Sequence, residues 1–146
     1  MALSIGSLVA ATKVVDLEFP GIPDFVVSLN YISRDEMAKL REKATKTKFK
    51  AGTRDPIQEL DADLFLKLYV STAVKGWKGL TLSRLAQLMV LKDDIPSSKV
   101  DEEIPYTEEN ALDLVKNSKD FDIFVGESIN DLTNFQSASI QIATKQ

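Results

Sequence analysis

Apolar side chains enter the chain in two short β-prone runs. Val14, Leu17 and Phe19, then Phe25, Val26, Val27, Leu29 and Tyr31, flank Pro20-Gly21-Ile22-Pro23-Asp24, whose prolines and glycine punctuate a turn. The pattern predicts a hairpin over residues 12–31. Two strands alone are marginal in water, so one face of it must pack on the helices downstream. At Ser33 the period turns helical. Ser33 and Glu36 have capping-box spacing ahead of Met37, Leu40 and Ala44, which predicts a helix from about Arg34 to Lys46. Thr47 to Pro56, with Gly52 among basic residues, reads as a loop. Leu60, Leu64, Phe65, Leu68 and Thr72 then keep a helical period to about Val74, and Leu66, Tyr69 and Val70 spread the apolar surface around the cylinder. Such a helix is the centre of the core or one side of a protein interface. It should stop at Gly76-Trp77-Lys78-Gly79.

Leu82, Leu85, Ala86, Leu88 and Met89 predict a third helix from Ser83 to about Leu91. Asp93 to Glu103, with Pro96, two serines and five acids, should be an exposed connection open to proteases. Thr107 caps the next helix, with Glu108 and Glu109 in its first turn. Ser118 caps the last, where Phe121, Phe124, Val125, Ile129, Leu132 and Phe135 form one broad stripe. The expected fold is α+β but predominantly helical: one domain over 1–146, with hairpin 12–31 packed on a helical body of about five helices, 33–135, and a flexible tail, 136–146.

Composition narrows the chemistry more than the fold. The chain has 146 residues, 44% hydrophobic and 27% charged, which is ordinary for a folded domain. It has no cysteine and no histidine. That removes disulfides, thiolate and imidazole metal sites, cysteine nucleophiles and every triad built on an imidazole base, and fits a reducing cytoplasm. No basic stretch precedes the apolar N-terminus as in a secretory signal, and no run is long enough to span a bilayer. The net charge of -4 is unevenly spread. Lys39, Arg41, Lys43, Lys46, Lys48, Lys50 and Arg54 crowd one segment, while acids from Asp93 to Asp131 fill the second half. Asp61 with Asp63, and Asp101-Glu102-Glu103, read as helix-start charge and a solvated loop rather than acid–base or cation chemistry. The basic segment contains one aromatic, Phe49, too little to carry a nucleic-acid reading in an acidic chain. No catalytic residue, metal or cofactor is expected. Trp77 is open to two readings, a core plug at a helix end or an interface anchor.

Several short motifs together resemble the tail assembly chaperones of long-tailed, siphovirus-like bacteriophages. They are Leu-Glu-Phe-Pro-Gly at 17–21, Leu-Asn-Tyr-Ile-Ser at 29–33, Thr53-Arg54, and Glu59-Leu60-Asp61 with Phe65 and Tyr69. Gly-Trp-Lys-Gly-Leu at 76–80, paired with Ile-Pro-Tyr-Thr-Glu-Glu-Asn-Ala at 104–111, completes the set. The resemblance runs from about Val14 to Phe135, and the stretch Ser83 to Val100 is an addition to the family pattern. It implies a non-enzymatic protein of the bacterial host cytoplasm that is absent from the mature virion. Its partners would be the tape measure protein, which it coats and keeps soluble, and the tail tube protein, which it recruits. Self-association, or pairing with a longer frameshifted form, would add to these. Neither a membrane nor nucleic acid is an expected partner. The candidate partner-contacting residues are Trp77, Leu80, Tyr106, Phe121, Phe124 and Phe135. The alternatives are a tail-completion or tube-associated virion protein and, further off, a nucleic-acid-binding regulator.

Overall fold

A computed structural model describes residues 3–10, 12–49 and 51–136. After a short exposed helix α1 (Ile5–Leu8), the expected hairpin forms from β1 (Thr12–Glu18) and β2 (Val26–Ile32), antiparallel with Val15 opposite Leu29 and Leu17 opposite Val27. The turn closes through the Phe19 amide, which donates to the Phe25 carbonyl at 2.8 Å. Ile22 tucks inward from the turn, so the turn is part of the core.

Helix α2 (Arg34–Ala44) starts at Ser33, whose hydroxyl accepts from the Glu36 amide at 3.2 Å, one of the orphan donors a helix N-terminus must satisfy. The chain then departs from expectation. The residues read as a loop and as a helix start form an antiparallel ribbon, β3 (Thr45–Phe49) with β4 (Pro56–Leu60), leading directly into α3 (Ala62–Ala73). Thr45, Thr47, Phe49 and Ile57 are β-formers by shape. Nearly all of the ribbon is exposed, so it lacks the alternation of apolar and polar positions that marks a half-buried strand.

The Gly-Trp-Lys-Gly break is also a strand. β5 (Val74–Lys78) follows α3 without a linker and lies antiparallel to β2, Trp77 opposite Val27, with a register shift between Ser28 and Leu29. The main sheet therefore runs β1-β2-β5, and the ribbon is a separate two-stranded sheet. Among the described residues, five strands in two antiparallel sheets correct the expected predominantly helical body. The cause is that helix passes to strand at Ala73–Val74, two apolar residues with no glycine or proline at the junction.

The third predicted helix shrinks to α4 (Leu82–Leu85), capped by Thr81. The acidic connection is only half free. A short 3-10 turn at Ser97–Lys99 precedes backbone hydrogen bonds from Leu82 to Glu102, Ser83 to Val100 and Ile104 to Leu80, at 3.0, 2.9 and 2.7 Å. Thr107 and Ser118 cap α5 (Glu108–Asn117) and α6 (Lys119–Asn130) as their sequence suggests. The last predicted helix stops at Asn130, five residues short of Phe135, and a further turn at 133–136 brings Phe135 back against Tyr31. The predicted tail lies outside the described residues from 137 onward.

Both α3 and α6 pack on β2, α3 also against α2, α5 and β5, and α5 against α6. One continuous core results, with Phe25, Val27, Leu29, Val70, Val74, Leu80, Phe121 and Val125 almost wholly buried. Among the described residues no helix is long and apolar enough to cross a membrane.

Candidate functional site

Five of the six aromatic or apolar residues singled out in the sequence meet in one cluster of the domain. Trp77 in β5 donates Nε1–H to the Ile104 carbonyl at 2.9 Å, and the Tyr106 hydroxyl donates to the Val74 carbonyl at 2.6 Å. The two rings meet edge to face at 5.2 Å, and Phe121 stands 6.4 Å from Trp77. Leu80 is buried beside them in the same core. Phe124 meets Phe121 at 6.3 Å and Phe19 at 4.8 Å, whereas Phe135 lies apart, buried against Tyr31. Aromatic pairs of this kind add about 0.5–1.5 kcal/mol each beyond area burial. The motifs at 17–21, 76–80 and 104–111 thus converge because they build one aromatic knot. Gly79 fastens it. Its φ is +78°, and a Cβ there would run into the Asp24 carbonyl oxygen of the first turn, so only glycine fits. Arg84 donates to the Gly79 carbonyl at 2.5 Å.

Burial moves the titrations of the tyrosines nearby. Tyr69, stacked on Phe65, has its phenol pushed up to about 12, first by loss of water and then by the charge of Asp122. Tyr106 is raised for the same reason, with Glu108 adding to it. Asp61 is held below the ordinary aspartate range, chiefly because its carboxylate accepts the Leu64 amide, and secondarily because Lys46 lies 3.0 Å away. This is the chemistry of a helix cap. Among the described residues no carboxylate cluster is arranged to hold a metal ion.

An open surface groove lies elsewhere. Between α2 and the end of α6 runs a groove of about 680 Å³, lined by Tyr31, Ile32, Ser33, Arg34, Met37, Ala38, Arg41, Ile129, Asn130 and Leu132. Its floor comes from the sheet and the core, where Ile32 and Ile129 are buried. One wall is the α2 face carrying Arg34, Met37, Ala38 and Arg41, and the other ends in Leu132, which is 50% exposed. Among the described residues the groove is lined by two arginines and no carboxylate. Neither Arg34 nor Arg41 has an ion pair among the described residues, although Lys39 on the same helix is paired with Glu36 at 3.2 Å.

This wall is not among the candidate residues that the sequence suggests. Its signal is nevertheless present in Arg34, Met37, Ala38 and Arg41, which fall at i, i+3, i+4 and i+7 on one helix face. In the linear pattern the arginines are indistinguishable from the solvated charges around them.

A family profile described as YdaY prophage protein matches residues 30–146, from β2 through both walls of the groove and on to the end of the sequence. The chain belongs to that family. It is phage-derived, and its first strand, β1, lies ahead of the matched region. No curated protein and no solved structure matches the chain.

Proposed function

We propose that this prophage protein is a tail assembly chaperone. It binds the tape measure protein, keeps that long client soluble and brings tail tube subunits to it, acting in the host cytoplasm as a binding protein rather than an enzyme and leaving before the particle is complete. The observation that carries this reading is the open groove between α2 and α6, whose apolar floor and exposed Leu132 rim suit a protein ligand. The motif resemblance and membership of a prophage family support the phage context.

The test is co-expression with the tape measure protein. The wild-type chain is expected to move that client into the soluble fraction and to co-purify with it. Ala38→Glu, which sets a charge on an exposed position of the groove wall without touching the aromatic knot, should cut recovery of the client about tenfold or more while thermal melting stays near wild type. If the folded wild-type protein neither solubilises nor retains the client, and is found instead in purified virions, the chaperone reading gives way to a structural tail component.

A further inference from the structure

We infer that the groove is built for an amphipathic helix carrying carboxylates two turns apart, the helix seating its apolar stripe on the floor while Arg34 and Arg41 take the acids. The inference rests on the chaperone reading above, because it names the chemistry of the segment that would bind there.

Arg34 and Arg41 stand seven positions apart on α2, which places them about 10 Å apart along the axis, with Met37 and Ala38 between. Seven positions is also the spacing at which a bound helix repeats a face. A guanidinium presents a planar fork of donors that matches a carboxylate and is always charged. Among the described residues both forks are unpaired and no acid lines the groove, so a ligand bringing carboxylates meets complementary charge.

The ligand must also satisfy its own backbone. β2, the strand beneath the groove, is paired along its whole length by β1 but by β5 only from Val26 to Leu29, and the Ser33 hydroxyl is already used by the Glu36 amide. An extended peptide would find only the short end of β2 beyond Leu29 on which to pair its amides, whereas a helix carries its hydrogen bonds internally. Single-stranded nucleic acid is disfavoured for a different reason. The only aromatic in the lining, Tyr31, is half-buried against Phe135 at 5.4 Å and offers little free face for stacking.

The test uses the full chain and synthetic amphipathic helices of roughly 18 residues, five turns. These share one leucine–alanine stripe and carry either two glutamates or two lysines seven positions apart at its edge. Fluorescence anisotropy should give the glutamate peptide at least about tenfold tighter binding than the lysine peptide, with the preference shrinking as salt rises from about 50 to 500 mM. In the Arg34→Gln/Arg41→Gln double variant the ratio should fall to about one while the melting temperature is kept, since both side chains are exposed. Equal binding of the two peptides by the wild type, a preference that survives the double variant, or oligothymidine binding that outcompetes the glutamate peptide would each overturn the inference. So would sedimentation showing a wild-type dimer that Ala38→Glu dissolves, which would make a second copy the occupant. Tape measure co-purification is scored separately. If it persists undiminished in the double variant, the carboxylate chemistry fails and the chaperone reading stands. If peptide selectivity holds while wild-type co-purification fails, the groove's chemistry stands without that client.

Discussion

Phe121 has no exposed surface and lies against Phe19 and Phe25, each 6.3 Å away, and Trp77, whereas Ile123 two positions later is 43% exposed. Both belong to the same helix, yet truncation should separate them. Phe121→Ala is expected to cost about 3–5 kcal/mol by emptying a closed aromatic site, and Ile123→Ala about 0.5 kcal/mol or less. Urea unfolding of the two variants at neutral pH would show it. Tyr69 gives a second test. Its folded-state value near 12 lies above the ordinary phenol value of about 10, so the fold favours the neutral ring. That stabilisation is complete below pH about 10 and is lost as pH climbs toward 12. Tyr69→Phe should therefore stay within about 1 kcal/mol of wild type at pH 7 and unfold less steeply with pH across that alkaline window, as read by urea midpoints at pH 7, 10 and 11. The sequence offers Trp77 two roles, and a linear pattern has no means of choosing between them. Its neighbours Ile104, Tyr106 and Phe121 lie 27 or more positions away, and only the paired strand β5 brings them together.

At the level of elements, the legible features are local. Ser33, Thr107 and Ser118 each cap the helix that their spacing marks, because a capping hydroxyl bonds an amide three residues on and depends little on the rest of the fold. The strands β3, β4 and β5 are hidden for opposite reasons. The ribbon carries threonines, lysines and a glutamate on faces that both meet water, while β5 follows α3 at Ala73–Val74 with no glycine or proline between them. The acidic connection illustrates how backbone pairing revises a composition argument. Lys92 and Lys99 are both exposed. However, the Lys99 amide donates to Pro96, its carbonyl accepts from Glu102, and the neighbouring Val100 carbonyl takes the Ser83 amide. Trypsin needs an extended, unpaired segment, so within this connection it should cut after Lys92 before Lys99. Mass spectrometry of the earliest fragments decides the order, and early cleavage at Lys99 would mean that the pairing to Leu80–Ser83 opens readily.

For the molecule as a whole, the apolar surplus that the helical stripes suggest is largely absorbed by the sheet that the sequence conceals. Side chains of α3 and α6 that look too many for a helical bundle cover β2 and β5, while the groove beside the α2 face with its arginines stays open. The closing position of α6 has a further consequence, in the time domain. Phe19 and Phe25 sit in the first hairpin, and the residue that stacks on both, Phe121, follows about a hundred positions later. At roughly 5–20 residues per second of synthesis, that gap leaves the hairpin's aromatic face uncovered for roughly 5–20 s on the ribosome. For that interval the nascent chain is itself an aggregation-prone client, and its yield should depend on how fast the codons between the turn and α6 are read.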